Sequence, residues 1–154
     1  YFCFVVDISG SMAGRKLDSV KQELTRAIRS LPNSAAFQVV FFSDGSTTIS
    51  QDWMRATPSR VKRFEQDLRG IGAVGGTAPE SALRYAFGNL DPRPDVLFFL
   101  TDGQMPANTP GLIQQLNPRV NMTRVNTIGF GAGAAVGPLQ DIANQNFGTF
   151  RQVP

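Results

Sequence analysis

The first twelve residues, YFCFVVDISGSM (residues 1–12), run without a polar break through six apolar side chains and then into Asp7, Ser9, Gly10 and Ser11. An apolar stretch of this kind, rich in aromatic and β-branched residues and closed by turn formers, marks a strand covered on both faces. Residues 37–42 (FQVVFF) and 96–100 (VLFFL) repeat the pattern. Residues 124–130 (RVNTIGF) and 149–153 carry weaker versions. Residues 47–49 fit an antiparallel edge strand that returns on 37–42 through a turn at Asp44-Gly45.

Helical spacing fills the intervals between these strands. Leu17, Val20, Leu24, Ala27, Ile28 and Leu31 form one stripe, and Val61, Phe64 and Leu68 form another behind Thr57-Pro58. Ala82, Leu83, Ala86, Phe87 and Leu90 make a third. Leu112, Ile113 and Leu116 follow Thr109-Pro110, and Leu139, Ile142 and Ala143 end near Gly148. Alternating strands and helices require crossover connections, which are right-handed and place helices on both faces of a mostly parallel sheet. The expected class is therefore α/β: a doubly wound, Rossmann-like three-layer fold with one antiparallel edge strand.

With 154 residues, 42% of them hydrophobic, the chain fits a single domain over residues 1–154. Because Tyr1 already lies inside an apolar run, the expectation is a domain cut from a longer protein. No run approaches the ~20 apolar residues of a membrane span, so the domain reads as soluble, with no membrane contact of its own. Histidine is absent, which removes Ser-His-Asp triads, imidazole bases and HExxH zinc sites. A lone cysteine, Cys3, can form neither an intrachain disulfide nor a thiolate zinc site, and its setting suggests a small buried hydrophobe. The net charge of +3 comes from dispersed arginines, among them Arg26, Arg29, Arg55, Arg60, Arg63 and Arg69, which read as solvated helix faces and not as a nucleic-acid surface.

In a doubly wound sheet the functional crevice opens beyond the carboxyl ends of the strands, where strand order reverses. The first strand ends at Asp7, and VLFFL runs into Thr101-Asp102-Gly103. Two carboxylates facing one crevice repel unless one protonates or a cation lies between them. Asp7, Ser9, Ser11 and Asp102 are all hard oxygen donors. They favour Mg²⁺, Mn²⁺ or Ca²⁺ over Zn²⁺ or Cu²⁺. The plainer reading of Ser9-Gly10-Ser11 is a tight turn capping a helix that begins near Gly14. Thr77, in Gly75-Gly76-Thr77-Ala78-Pro79-Glu80, is a fifth candidate; Thr77 and Glu80 also fit a capping box, which leaves the glycine pair unexplained.

Taken together, DISGS at residues 7–11, GGT at 75–77 and LTDG at 100–103 resemble the three loops of the von Willebrand factor type A domain family, which includes the integrin inserted domains. TIGFG at 127–131 and a terminal helix followed by Gly148 extend the likeness over nearly the whole chain. In that family these loops form the metal-ion-dependent adhesion site. The resemblance implies metal ligation by Asp7, Ser9, Ser11, Thr77 and Asp102. Ser9 and Ser11 would bind the ion directly, and Thr77, Asp7 and Asp102 directly or through water.

It further implies one divalent cation, with Mg²⁺ first and Mn²⁺ or Ca²⁺ as alternatives. The last ligand would be a Glu or Asp from a partner protein or peptide. Met12, Ala13 and Gly14 supply no acids for a neighbouring second ion. Entry of Thr77 to the inner sphere would couple to a shift of the terminal helix, residues 136–146. Partner choice would lie in rim loops 43–53 and 105–110, where Trp53 and Met105 are either contacts or packing. An extracytoplasmic or membrane-anchored parent is the family-based expectation for location.

The expected function is therefore a metal-dependent, adhesion-type protein-binding module and not an enzyme. Two alternatives compete with it. A Mg²⁺-dependent phosphohydrolase would use Asp7 as nucleophile, yet Ser9 stands where its second acid belongs. A scaffold of the same fold would bind no metal. A nominal GxGxxA at Gly129, Gly131 and Ala134 suggests a dinucleotide site, but Thr149 occupies the position of the expected acid.

Overall fold

The computed structural model describes residues 1–154. Five of the six apolar residues before Asp7 belong to β1 (Phe2–Asp7), and a short 3₁₀ turn (Gly10–Met12) leads from it into α1 (Arg15–Arg29). Then come β2 (Ala36–Phe42), β3 (Ser46–Thr48), β4 (Met54–Arg55), α2 (Pro58–Arg69) and α3 (Glu80–Gly88). β5 (Val96–Thr101), α4 (Thr109–Leu116), β6 (Arg124–Phe130), α5 (Val136–Gln145) and β7 (Phe150–Val153) complete the chain.

The strands form one sheet in the order β3-β2-β1-β5-β6-β7. β1 pairs in parallel with both β2 and β5, placing Val6 beside Phe41 on one side and Leu100 on the other. Strand order reverses between β1 and β5, so the loops after Asp7 and Thr101 open side by side. The expected class holds, with one refinement at the edge. β3 returns antiparallel on the end of β2, as the Asp44-Gly45 turn suggested, and β4 adds a second antiparallel piece at the start of β2. β4 is two residues long and leaves no periodic trace in the sequence.

Alternate side chains of the central strands feed two cores. Phe4 and Val6 of β1 point to the face covered by α1 and α2, with Leu24, Ile28, Phe64 and Phe41. Cys3 and Val5 point to the other face, covered by α3, α4 and α5, with Leu83, Ile113 and Ile142. Every one of these side chains is at most 1% exposed, so the central strands are apolar throughout because both faces are roofed. Burial pushes the Cys3 thiol well above its ordinary range, which makes it an inert part of the core. No helix is long and apolar enough to cross a membrane.

Candidate metal centre

The loop after β1 is shaped by its own aspartate. Asp7 is fully buried, and its Oδ1 accepts the Ser9 backbone N–H at 2.9 Å, turning the chain immediately beyond the strand. Buried Met12 then anchors the 3₁₀ turn from below, which leaves the Ser9 and Ser11 hydroxyls 3.1 Å apart. Neither serine caps α1: the N-cap is Gly14, at φ +76°, and no side chain bonds the helix start there. The plainer reading of these serines as caps is therefore wrong. A residue with φ > 0 had to supply the helix entry, and serine rarely adopts it.

The loop after β5 meets this turn from the adjacent strand. Thr101 Oγ1 donates to Asp7 Oδ2 at 2.7 Å and accepts the Gly103 N–H at 3.0 Å. Asp102, only 1% exposed, accepts the Gln104 N–H on Oδ1 and the Lys16 ammonium, 3.0 Å away, on Oδ2. Thr101 and Lys16 were not among the candidate residues. Lys16 did leave a signal, because a cation in the first turn of α1 opposes the helix dipole and needs a local anion to offset it.

The third loop is stitched to the first through backbone. Val74 N–H donates to Ile8 O at 2.8 Å and Gly10 N–H to Gly75 O at 2.9 Å. The glycine pair now has its reason. Gly75 sits at φ +77°, and a Cβ there would lie 2.4 Å from Asp44 Oδ2; Gly76 N–H donates to Asp44 Oδ1 at 2.8 Å. The capping box fails. α3 starts at Glu80 with Pro79 as N-cap, no side chain caps it, and Glu80 instead accepts from Arg84 at 2.9 Å. Proline at position 79 sets the helix entry two residues beyond Thr77, so the half-buried Thr77 hydroxyl is free of capping duty.

The structure thus gathers the loops of Asp7, Ser9, Ser11, Thr77 and Asp102 at one end of β1 and β5. Burial raises the Asp7 pKa, hydrogen bonds from Ser9 and Thr101 pull it back down, and the nearby Asp102 charge raises it slightly. Asp102 has an ammonium partner, whereas Asp7 has only neutral donors. No three His, Cys, Asp or Glu side chains cluster anywhere as a ligand set. Two carboxylates and three hydroxyls form a hard-oxygen donor set, which fits Mg²⁺, Mn²⁺ or Ca²⁺.

Other expectations fare differently. Trp53 is not at this rim: it packs edge-on against Tyr1 at the opposite end of β1, with ring centroids 5.0 Å apart, and donates to Pro92 O. The long β3–β4 connection runs down the sheet edge, held by Gln38 Nε2 donating to the carbonyls of Ser50 and Asp52. Met105 lies near the site but is half-buried against the second core. The GxGxxA glycines serve packing. Gly129 admits Ala134 and Leu139, and Gly131 admits the stem of Lys16. A groove away from the crevice, between α1 and α2, is lined by Lys21, Arg26, Arg29, Glu65 and Arg69 among others. It is a solvated basic surface, and none of the five candidate residues lines it.

Comparison with known proteins follows the same outline. The sequence profile of the von Willebrand factor type A domain matches residues 2–152. A von Willebrand factor A domain-containing protein of Dictyostelium discoideum is 30% identical over 134 residues, covering 85% of this chain and 14% of that protein. Inter-alpha-trypsin inhibitor heavy chain H3 of Mesocricetus auratus is 29% identical over 166 residues, covering 97% of this chain and 18% of its own length. The chain therefore spans less than a fifth of these relatives.

Among solved structures, a von Willebrand factor type A protein from Catenulispora acidiphila superposes with a TM-score of 0.83 at 24% identity, covering 99% of this chain and 38% of that one. Proximal thread matrix protein 1 of the mussel byssus, solved with a zinc-occupied MIDAS motif, gives 0.75 at 22%, covering 98% and 40%. The manganese-loaded TRAP protein of Plasmodium vivax gives 0.72 at 20%, covering 93% and 61%. At these identities the three structures speak for the fold.

Proposed function

The chain belongs to the von Willebrand factor type A domain family, and from that premise we propose that it is a metal-dependent protein-binding module and not an enzyme. Asp7, Ser9, Ser11, Thr77 and Asp102 hold one divalent cation, Mg²⁺ in the first instance, at a complete metal-ion-dependent adhesion site. A Glu or Asp of a partner protein or peptide completes the coordination. The observation that carries this reading is the pair of serine hydroxyls, 3.1 Å apart, beside the buried Asp7 carboxylate that has no cationic partner. The zinc-occupied mussel protein and the manganese-loaded Plasmodium protein, which share the fold, support a divalent ion here.

The chemistry supplied by the bound ion is Lewis acidity toward an anionic oxygen. Ser9 and Ser11 offer neutral oxygens, which leave much of the ion's charge for the partner's carboxylate. Both Asp7 oxygens already accept hydrogen bonds, from Ser9 N–H and Thr101 Oγ1, so Asp7 holds the loop in shape and presents its remaining lone pairs. A phosphohydrolase using Asp7 as nucleophile would instead need a second acid two positions on as its proton donor, and Ser9 stands there. Thr77, free of the cap, can move toward the site. A route to the terminal helix runs through Gly103, whose close neighbour is Ala135 just before α5.

Calorimetric titration of metal-stripped protein with Mg²⁺ and Mn²⁺, beside a folded Asp7→Ala variant, tests the proposal. Saturable one-site binding by the wild type and none by the variant is the expected result. Equal affinity in both would overturn it.

A further inference from the structure

Lys16 lies in the first turn of α1, where the helix dipole disfavours a cation. Its ammonium is 3.0 Å from Oδ2 of Asp102, a carboxylate only 1% exposed, whereas the lysine side chain itself is 34% exposed. The stem is supported from beneath by Gly131, where an added Cβ would lie 3.0 Å from Lys16 Cε. The lysine is thus held by its stem, and its charged end keeps a path to water.

We infer that Lys16 is a tethered counter-ion of the cleft: its ammonium neutralises Asp102 in the metal-free protein and competes with a divalent cation for that carboxylate. The inference rests on the ion site proposed above. Charge counting gives it direction. Asp7, Asp102 and Lys16 together carry −1, and a dication brings the cleft to +1. Lys16 therefore repels the incoming ion, and once displaced from Asp102 it adds positive potential that only an anionic ligand relieves. Metal affinity is lowered in the absence of a partner carboxylate, and the cleft is kept from standing as a bare pair of buried carboxylates when metal is scarce.

The test is calorimetric Mn²⁺ titration of the wild type, Lys16→Met and Lys16→Arg, with melting temperatures of the metal-free proteins alongside. Lys16→Met removes the charge and keeps an apolar stem. It should bind Mn²⁺ on the order of tenfold more tightly and melt lower without metal, and Asp102→Asn in the same background should cancel that loss. Lys16→Arg, which keeps the charge, should restore affinity close to wild type. Equal Mn²⁺ affinity in wild type and Lys16→Met, or an arginine variant that behaves like the methionine one, would overturn the inference while leaving the ion site standing. Absence of Mn²⁺ binding by all three proteins would overturn the ion site and this inference together.

Discussion

At Thr77 the side chain and the backbone around it have separate duties. The backbone of its loop is held by Gly75 O, by Gly76 N–H on Asp44, and by Ala78 N–H on Ser43 O at 2.7 Å. The hydroxyl contributes nothing to α3, which is entered through Pro79. Thr77→Ala should therefore change stability by less than about 0.5 kcal/mol, the ordinary range for a substitution away from a structural feature, and not by the ~1 kcal/mol of a lost cap. Its effect should fall on ion binding. Urea midpoints and Mn²⁺ titration on the same preparation separate the two; a midpoint loss equivalent to ~1 kcal/mol would reinstate a structural role for the hydroxyl.

Between elements, the contacts that matter are few and short. Gly103, at φ +83°, lets the end of β5 pass so close to α5 that a Cβ would lie 2.4 Å from Ala135 N and 2.8 Å from Ala135 Cβ. Gly103→Ala combines a left-handed backbone penalty of about 1–2 kcal/mol with overpacking of about 1–3 kcal/mol. A destabilisation above ~2 kcal/mol is expected, read by denaturant unfolding. A second pair joins α1 to α2: Arg29 donates to Glu65 through Nε at 2.5 Å and through Nη2 at 2.8 Å. Hydrogen bonding and charge from Arg29 hold the Glu65 carboxyl below its ordinary value. Because the folded-state pKa is depressed, the pair's contribution is present above the unfolded value, near 4.5, and is lost as pH falls through the lower folded value. Stability of Glu65→Gln should accordingly lie below wild type at pH 6 and approach it as the pH is lowered well below 4.5. A constant gap across that range would show that the ionised pair contributes nothing.

Over the whole molecule, the proposed ion links the ends of β1 and β5 to the loop before α3, so binding should be read globally as stability. At a free concentration one hundred times its dissociation constant, an ion that binds only the folded state adds about 2.7 kcal/mol. For a chain of this size each kcal/mol moves the melting temperature by roughly 2–4 °C, so Mn²⁺ should raise it by about 5–10 °C. Chelator should reverse the shift, and Asp7→Ala should abolish it. A shift that persists in the variant would place the ion elsewhere on the protein. Differential scanning calorimetry with and without Mn²⁺ makes the comparison.

What was legible without a structure is local in origin. Whether residues 1–6, 37–42 and 96–100 are roofed on one face or two is written in their own side chains, because alternation along a strand decides which faces are apolar. The same holds for the helical stripes and for an aspartate followed by alternating hydroxyls. What only the tertiary structure decided concerns pairs far apart in the chain. Thr101 reaches Asp7 across 94 residues, Lys16 reaches Asp102 across 86, and Asp44 fixes Gly76 across 32. Their meeting depends on strand order and register, to which each residue's own neighbours are indifferent. Trp53 shows the same limit, since only the path of the sheet edge carried it to the far end of β1. The sequence alone thus determined the strands, the helices and the oxygen donors on offer, because each is set by side chains close in the chain. The sheet decided which loops meet and which lysine reaches Asp102, because a parallel strand order brings together chain ends that no local pattern connects.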